Sequence, residues 1–238
     1  MQIAPGLHRI GDDIIAAYLL VEDGAATLVD AALPGYRRHL DRVLAELGLV
    51  PSAIRGIVLT HGDDDHVGFA ERLRAEHGTP IFVHEADAAR ATGAERAPRP
   101  AMPEMRVGPA VRFLATAAVK GLGARRPQEV TTIADGEALD LPGSPVVIGM
   151  PGHSAGSIAV HLPSVRAVAV GDALTTRHVL TGDARPQPAP FTDDEAGANA
   201  SLDRLTALDV DWVLPGHGPV APGPAAALVA AVRAHPRT

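Results

Sequence analysis

Four short runs in the chain carry residue types that bind metal ions or activate water. The densest is Thr60-His61-Gly62-Asp63-Asp64-Asp65-His66-Val67-Gly68, where His61, Asp63, Asp65 and His66 are all candidate ligands. The others are Pro151-Gly152-His153-Ser154-Ala155-Gly156, Val170-Gly171-Asp172 and Leu214-Pro215-Gly216-His217-Gly218. Each run follows or lies next to the end of an apolar stretch that reads as a strand, and each contains glycine. Loops at strand ends let side chains from distant parts of a chain converge on one point. A mixed imidazole and carboxylate set suits zinc, manganese or iron. The chain has no cysteine, which removes thiolate metal sites, disulfides and cysteine nucleophiles together.

Each candidate has a plainer reading. Isolated histidines are most often structural or solvated, and His8, His39, His77, His84, His161, His178 and His235 are read so. His178, a short step after Asp172, is the one of these that can reach a pocket rim. Three adjacent aspartates can be a solvated turn that favours a helix start, and Asp64 fits that description. Helix capping does not explain the three remote Gly-His and Gly-Asp loops. Asp63 reads as a ligand, with a supporting or vacated position as the alternative. Asp30, at the end of Thr27-Leu28-Val29, reads either as an acceptor behind a metal-bound imidazole or as a turn former. Ser154 and Ser157 read as loop hydrogen-bonders, and no Gly-x-Ser-x-Gly elbow marks a serine hydrolase.

The elements that must position these residues alternate between strand and helix. Ile14 to Val21 and Ala26 to Val29 flank the turn Glu22-Asp23-Gly24 and read as a hairpin. Helical spacing covers Tyr36 to Leu47, and Gly56 to Leu59 reads as a buried strand. A helix is expected from Val67 to His77, stopped by Gly78, then a strand at Ile81 to His84 and a short helix at Glu85 to Ala91. The segment at about 94–128 breaks the pattern with Pro98, Pro100, Pro103 and Pro109, followed by a helix over Val111 to Lys120. It reads as a cap or lid inserted into a single domain spanning 1–238, or as an irregular connection. The arginines in and just before it, Arg90, Arg96, Arg99, Arg106, Arg112, Arg125 and Arg126, with Lys120, either attract a small anionic substrate or form a solvated face.

Strands resume at Val130 to Ile133, Val146 to Met150, Ile158 to His161 and Ala167 to Val170. A helix over Asp193 to Leu208, a strand over Trp212 to Leu214 and a helix over Ala225 to Ala234 complete the chain. Hairpin-type and alternating regions occur in both halves, which points to an α/β protein with two sheets. With 46% hydrophobic but only 3% aromatic residues, its core must be filled by Val, Leu, Ile and Ala.

A net charge of −7 and the absence of a basic run argue against nucleic acid as a partner. No apolar run approaches the length of a membrane span and the N-terminus lacks a signal-peptide pattern, so a cytoplasmic protein without a membrane partner is expected. A small-molecule substrate is the expected partner, and a homodimer is compatible with the composition.

Taken in order, the four runs resemble the signature of the metallo-β-lactamase-fold superfamily: His-x-His-x-Asp-His, a Gly-His loop, an Asp and a final Gly-His. The likeness covers nearly the whole chain. It implies an αββα four-layer sandwich of two mixed sheets flanked by helices, with metals at one sheet edge. It also implies one metal position at His61, Asp63 and His153, a second at Asp65, His66 and His217, and Asp172 bridging them. The activity implied is binuclear metal-dependent hydrolysis of a small ester, thioester, lactone, lactam or phosphoester. Two divalent ions about 3.5–4 Å apart share a water whose pKa falls toward neutrality, and the hydroxide attacks. Asp65 and Asp172 are then the catalytic carboxylates that orient it.

One position departs from the signature: Asp63 stands where the family has its second histidine. A third carboxylate makes the centre less positive and moves metal preference toward iron or manganese, while zinc stays the first expectation from its general affinity for such sites. A di-iron oxidoreductase on the same fold and a non-catalytic metal-binding scaffold are the alternative functions.

Overall fold

A computed structural model describes residues 1–96, 104–121 and 125–235. Pro98, Arg99, Pro100 and Pro103 of the expected insertion lie outside the described residues. Strands β1 (Gln2–Ala4), β2 (Leu7–Gly11), β3 (Ala16–Glu22), β4 (Ala25–Val29), β5 (Ile54–Val58), β6 (Ile81–His84) and β7 (Thr131–Ile133) form one sheet in sequential order. Its first four strands are antiparallel and β4 to β7 are parallel, so the sheet is mixed. Strands β8 (Val146–Gly149), β9 (Ile158–Leu162), β10 (Ala167–Gly171), β11 (Trp212–Pro215) and β12 (Ala221–Pro222) form the second, in the order β12-β11-β10-β9-β8. Only β10 and β11 pair in parallel there.

Period-two alternation sorts the apolar side chains into three cores. Along β3, Ala17 and Leu19 point outward beneath helices α1 (Arg37–Glu46) and α3 (Ala70–His77), where they meet Leu40, Val43, Leu44, Ala70 and Leu73. Their neighbours Ala16, Tyr18 and Leu20 point inward and meet Val160, Leu162, Ala167, Ala169 and Leu214 of the opposite sheet. On β10, Val168 faces the other way, toward Leu228, Val229 and Val232 of helix α7 (Ala225–Ala234). The layers are therefore helix, sheet, sheet and helix, the αββα sandwich. Strands buried on both faces read as unbroken apolar runs, and this is why they were legible. The turn Leu202–Leu205, which follows helix α6 (Glu195–Ser201), covers the second sheet beside α7. Among the described residues no helix is long and apolar enough to cross a membrane.

The structure departs from the sequence reading in several places. Strands β1 and β2 precede the expected hairpin; buried His8 and Arg9 interrupt the apolar pattern of β2 and hid it. The helix expected over Asp193 to Leu208 is shorter, starting after Asp194, whose carboxylate caps Gly197 N–H at 3.0 Å. The helix expected over Val67 to His77 begins only at Ala70, as α3, and a separate short helix α2 (Asp64–Val67) precedes it. The break falls at Gly68, where a Cβ would stand 1.9 Å from the carbonyl oxygen of Ala32. Glycine lets this turn press against the loop after β4, and Phe69 N–H then bonds Ala31 O at 3.2 Å. Gly68→Ala should destabilise the protein by at least about 2 kcal/mol, the cost of overpacking against backbone that cannot yield. An unchanged urea midpoint would show that α2 and α3 shift apart freely.

Candidate metal centre

The candidate ligands arrive on loops at one edge of the sandwich. His61 follows β5, Asp63 precedes α2, and Asp65 and His66 lie within α2. His153 follows β8, Asp172 follows β10 and His217 follows β11. The two sheets are stitched together at this edge. Ile158 N–H donates to Thr60 O at 2.8 Å, Ala16 N–H to Gly216 O at 2.9 Å, and the Tyr18 hydroxyl to Pro215 O at 2.7 Å.

All seven residues converge. Asp63 Oδ2 lies 3.4 Å from His153 Nε2 and 3.7 Å from His61 Nε2. Asp65 Oδ2 lies 3.5 Å from His217 Nε2. Asp172 sits between the two groups, with Oδ1 3.4 Å from His66 Nε2 and Oδ2 3.2 Å from His217 Nε2 and 3.7 Å from His153 Nε2. In each of the triads His61, Asp63, His153 and Asp65, His66, His217, the ligand-type atoms lie within 4.8 Å of one another. Gly216 makes room for the centre: a Cβ there would meet His66 Cε1 at 2.6 Å and Asp172 Oδ1 at 2.7 Å.

Every imidazole is held by its other nitrogen. His66 Nδ1 pairs with Asp30 Oδ2 at 2.8 Å, His61 Nδ1 with Thr60 Oγ1 at 3.1 Å and His153 Nδ1 with Thr192 Oγ1 at 3.3 Å, while His217 Nδ1 donates to Ile14 O. Asp30 is buried and also accepts from Thr60 N–H at 2.7 Å, so it supports the site from behind rather than merely forming a turn. All four Nε2 atoms are thereby aimed inward. Those of His61, His66 and His153, with Asp172 Oδ1, are buried and have no hydrogen-bond partner. Native proteins seldom leave buried polar atoms in this state, and four facing one cluster are the setting of a bound ion or ordered water. The donor set fits two metal ions, and the chain carries a binuclear His/Asp metal-binding site.

Local electrostatics are strongly polarised. Burial opposes charge on His66, yet Asp30 and Asp172 outweigh it and hold its pKa well above the usual imidazole value. His217 is raised to about 9, burial again being outweighed, here by Asp172. Burial, reinforced by His66 and His153, pushes His61 well down. Asp172 is held well below the usual carboxylate range by His217 and His66 in spite of burial, whereas burial raises Asp65.

Asp87, which the sequence reading passed over, and two arginines of the basic cluster hold the loops in place. Buried Asp87 accepts from Gly62 N–H at 2.8 Å, Gly156 N–H at 2.9 Å and Ser154 Oγ at 2.9 Å, tying the His61 loop to the His153 loop. Ser154 and Ser157 are thus loop hydrogen-bonders. Arg90, at 8% exposure on helix α4 (Ala88–Thr92), grips Asp63. Arg126 bonds Gly62 O at 2.5 Å and pairs with exposed Asp64 at 2.6 Å. For these two arginines, neither reading of the basic cluster holds: they fasten the metal loop. The available signal was Asp87 and Arg90 three residues apart just after β6, a parallel strand ending at the same edge as β5. His178 is buried in the wall of a neighbouring cavity.

Comparison with known proteins agrees with this geometry. Residues 10–217 match the Metallo-beta-lactamase superfamily model, and the chain belongs to that family. It is 26% identical over 234 residues to "Probable metallo-hydrolase YflN" of Bacillus subtilis (strain 168), covering 91% of this chain and 85% of the relative. The crystal structure of metallo-beta-lactamase family protein TTHA1429 from Thermus thermophilus superposes with a TM-score of 0.70 at 27% identity, covering 97% of this chain and 79% of that one. TTHA1623, solved in a di-iron-bound form, superposes with a TM-score of 0.63 at 27% identity, covering 91% of this chain and 93% of that one. Fold and cluster together define a metal-dependent, hydrolase-type protein.

Asp87→Ala would leave the two amides and the Ser154 hydroxyl without their buried acceptor. It should cost about 3 kcal/mol or more in denaturant unfolding. A loss below about 1 kcal/mol, within the range of ordinary substitutions, would mean that the two loops hold their positions without this tie.

Proposed function

We propose that the chain is a binuclear metal-dependent hydrolase acting on a small ester, thioester or lactone. In this reading His61, Asp63 and His153 hold one ion, Asp65, His66 and His217 hold the other, and Asp172 serves both. The observation that carries it is the set of buried, unpartnered ring nitrogens and carboxylate oxygen facing a common centre. When bound, two divalent ions supply a Lewis acid for the substrate oxygen and an acidified water. Asp65 and Asp172 accept hydrogen bonds from the attacking water and fix its direction. Zinc is the first metal expected, and the di-iron relative supports iron as the alternative.

The cavity beside His217 supports a small substrate. It measures about 220 Å³ and its wall includes Ile14, Pro109, Phe113 and Val179. The Phe113 ring centroid is 6.4 Å from that of His217, which supports a lid role for helix α5 (Val107–Lys120). Arg112 and Arg177 reach the same cavity, and the carboxylate in its wall, Asp13, is shared between Arg9 at 2.8 Å and Arg177 at 3.9 Å, so the positive charge there is in excess. An apolar wall with two guanidinium groups favours an acyl substrate that bears a negative charge.

Elemental analysis of protein grown with balanced zinc, iron and manganese, with a panel of chromogenic esters, thioesters, lactones, lactams and phosphodiesters, tests the reading. Asp172→Ala should lower turnover by more than about 100-fold without unfolding the protein. Retention of both metals and normal turnover would remove Asp172 from this role. Arg177→Ala should raise KM about tenfold for anionic substrates while leaving kcat nearly unchanged, as expected for lost uniform binding. Equal KM changes for neutral and anionic substrates would refute the charge preference.

A further inference from the structure

Arg90 is bound on three sides. Nε donates to Asp63 Oδ1 at 2.6 Å, Nη2 to Asp63 Oδ2 at 2.9 Å, and Nη1 to Asp193 Oδ2 at 2.6 Å. Asp63 Oδ2 is also the oxygen that faces His61 and His153. One carboxylate is therefore shared between a guanidinium fork and the imidazole pair. Asp193 N–H donates to His153 O at 3.1 Å, and the adjacent Thr192 bonds the His153 ring. A single loop thus sets both Arg90 and His153.

A carboxylate differs from a neutral imidazole in two ways that matter to a cation. It adds a negative charge, and it has a second oxygen able to chelate. A bidentate guanidinium counters both, because it pairs the charge and occupies Oδ1 together with one lone pair of Oδ2, leaving only the other lone pair of Oδ2 for the side that faces the imidazoles. Lysine, a point donor on a flexible stem, would supply the charge without the fork.

We propose that Asp63 and Arg90 form one unit that substitutes for a neutral, single-atom ligand, with Arg90 as a positioning residue that sets the charge and denticity of the position shared with His61 and His153. This rests on the reading of those residues as ligands. Asp63→His alone leaves Arg90 with Asp193 as its remaining carboxylate partner and the Nε and Nη2 side of its fork unpaired, a cation facing the ion. Arg90→Gln alone frees Asp63 to chelate and favours harder cations. Changing both restores a neutral donor without an opposing charge.

The test is a double-mutant cycle on metal-stripped protein, with zinc and manganese dissociation constants read by competition with a chromogenic chelator. Asp63→His should weaken zinc at one of two positions by about 10–100-fold, and in the Arg90→Gln background the same change should cost less than about threefold. Arg90→Gln and Arg90→Lys should each shift the zinc-to-manganese preference toward manganese. Equal losses in both backgrounds, or an unchanged preference in the Arg90 variants, would overturn the proposal. Circular dichroism checks folding; should the double variant not fold, the preference measured with Arg90→Lys decides. Wild-type protein that binds fewer than two ions would instead refute the underlying site reading.

Discussion

Gathering four imidazoles and three carboxylates at one sheet edge is unfavourable by itself, because like groups repel and buried polar atoms lose water. The surrounding structure is organised to hold them there. Each ring is fixed through Nδ1 by a different element: Asp30 after β4, Thr60 after β5, Thr192 before α6, and Ile14 before β3. The loops are fixed in turn, by Asp87 through three donors and by Arg126 through Gly62 O and Asp64. Geometry that would relax in a softer setting is over-determined here. A preorganised cluster then needs little rearrangement when it meets a cation.

Much of this was legible in the sequence, for identifiable reasons. Strands sandwiched between layers read as apolar runs, and the ligands sit directly after them in glycine-containing loops, so the four runs and a two-sheet α/β fold were accessible together, the αββα layering following from the family resemblance. Helix α7 has the same bounds as its expected span, Ala225 to Ala234, because its apolar face packs on a core and Pro224 precedes it. Tertiary approach was not legible. The division at Gly68 depends on the loop after β4, which is remote in sequence from any helix signal. Asp87 and Arg90 looked like ordinary polar residues of a short helix, since nothing local shows that they point into two other loops. The arginines after β6 illustrate the same limit. Arg90 and Arg126 fasten the metal loop, Arg106 pairs with Asp183 at 2.9 Å, and Arg112 lines the cavity, although composition alone treats them alike.

The polarised pairs also explain how opposite shifts coexist within a few ångströms. Asp172 is pulled toward ionisation by His66 and His217, while Asp65, buried beside Asp172 and Asp63, is pushed toward its neutral form. Two carboxylates of one cluster are thus made unequal by their neighbours. Environment, more than residue type, assigns their character.

The seam between the sheets has a further consequence. The bonds Ile158–Thr60 and Ala16–Gly216 join the first half of the chain to the second at the same edge where the His/Asp cluster lies. Anything held at that edge spans both halves, and binding there adds to the work of pulling them apart as the logarithm of one plus the ratio of free ion concentration to dissociation constant. The melting temperature of this protein is therefore coupled to the metal content of its surroundings. A chain without cysteine gains in this way a cross-link that conditions can add or remove.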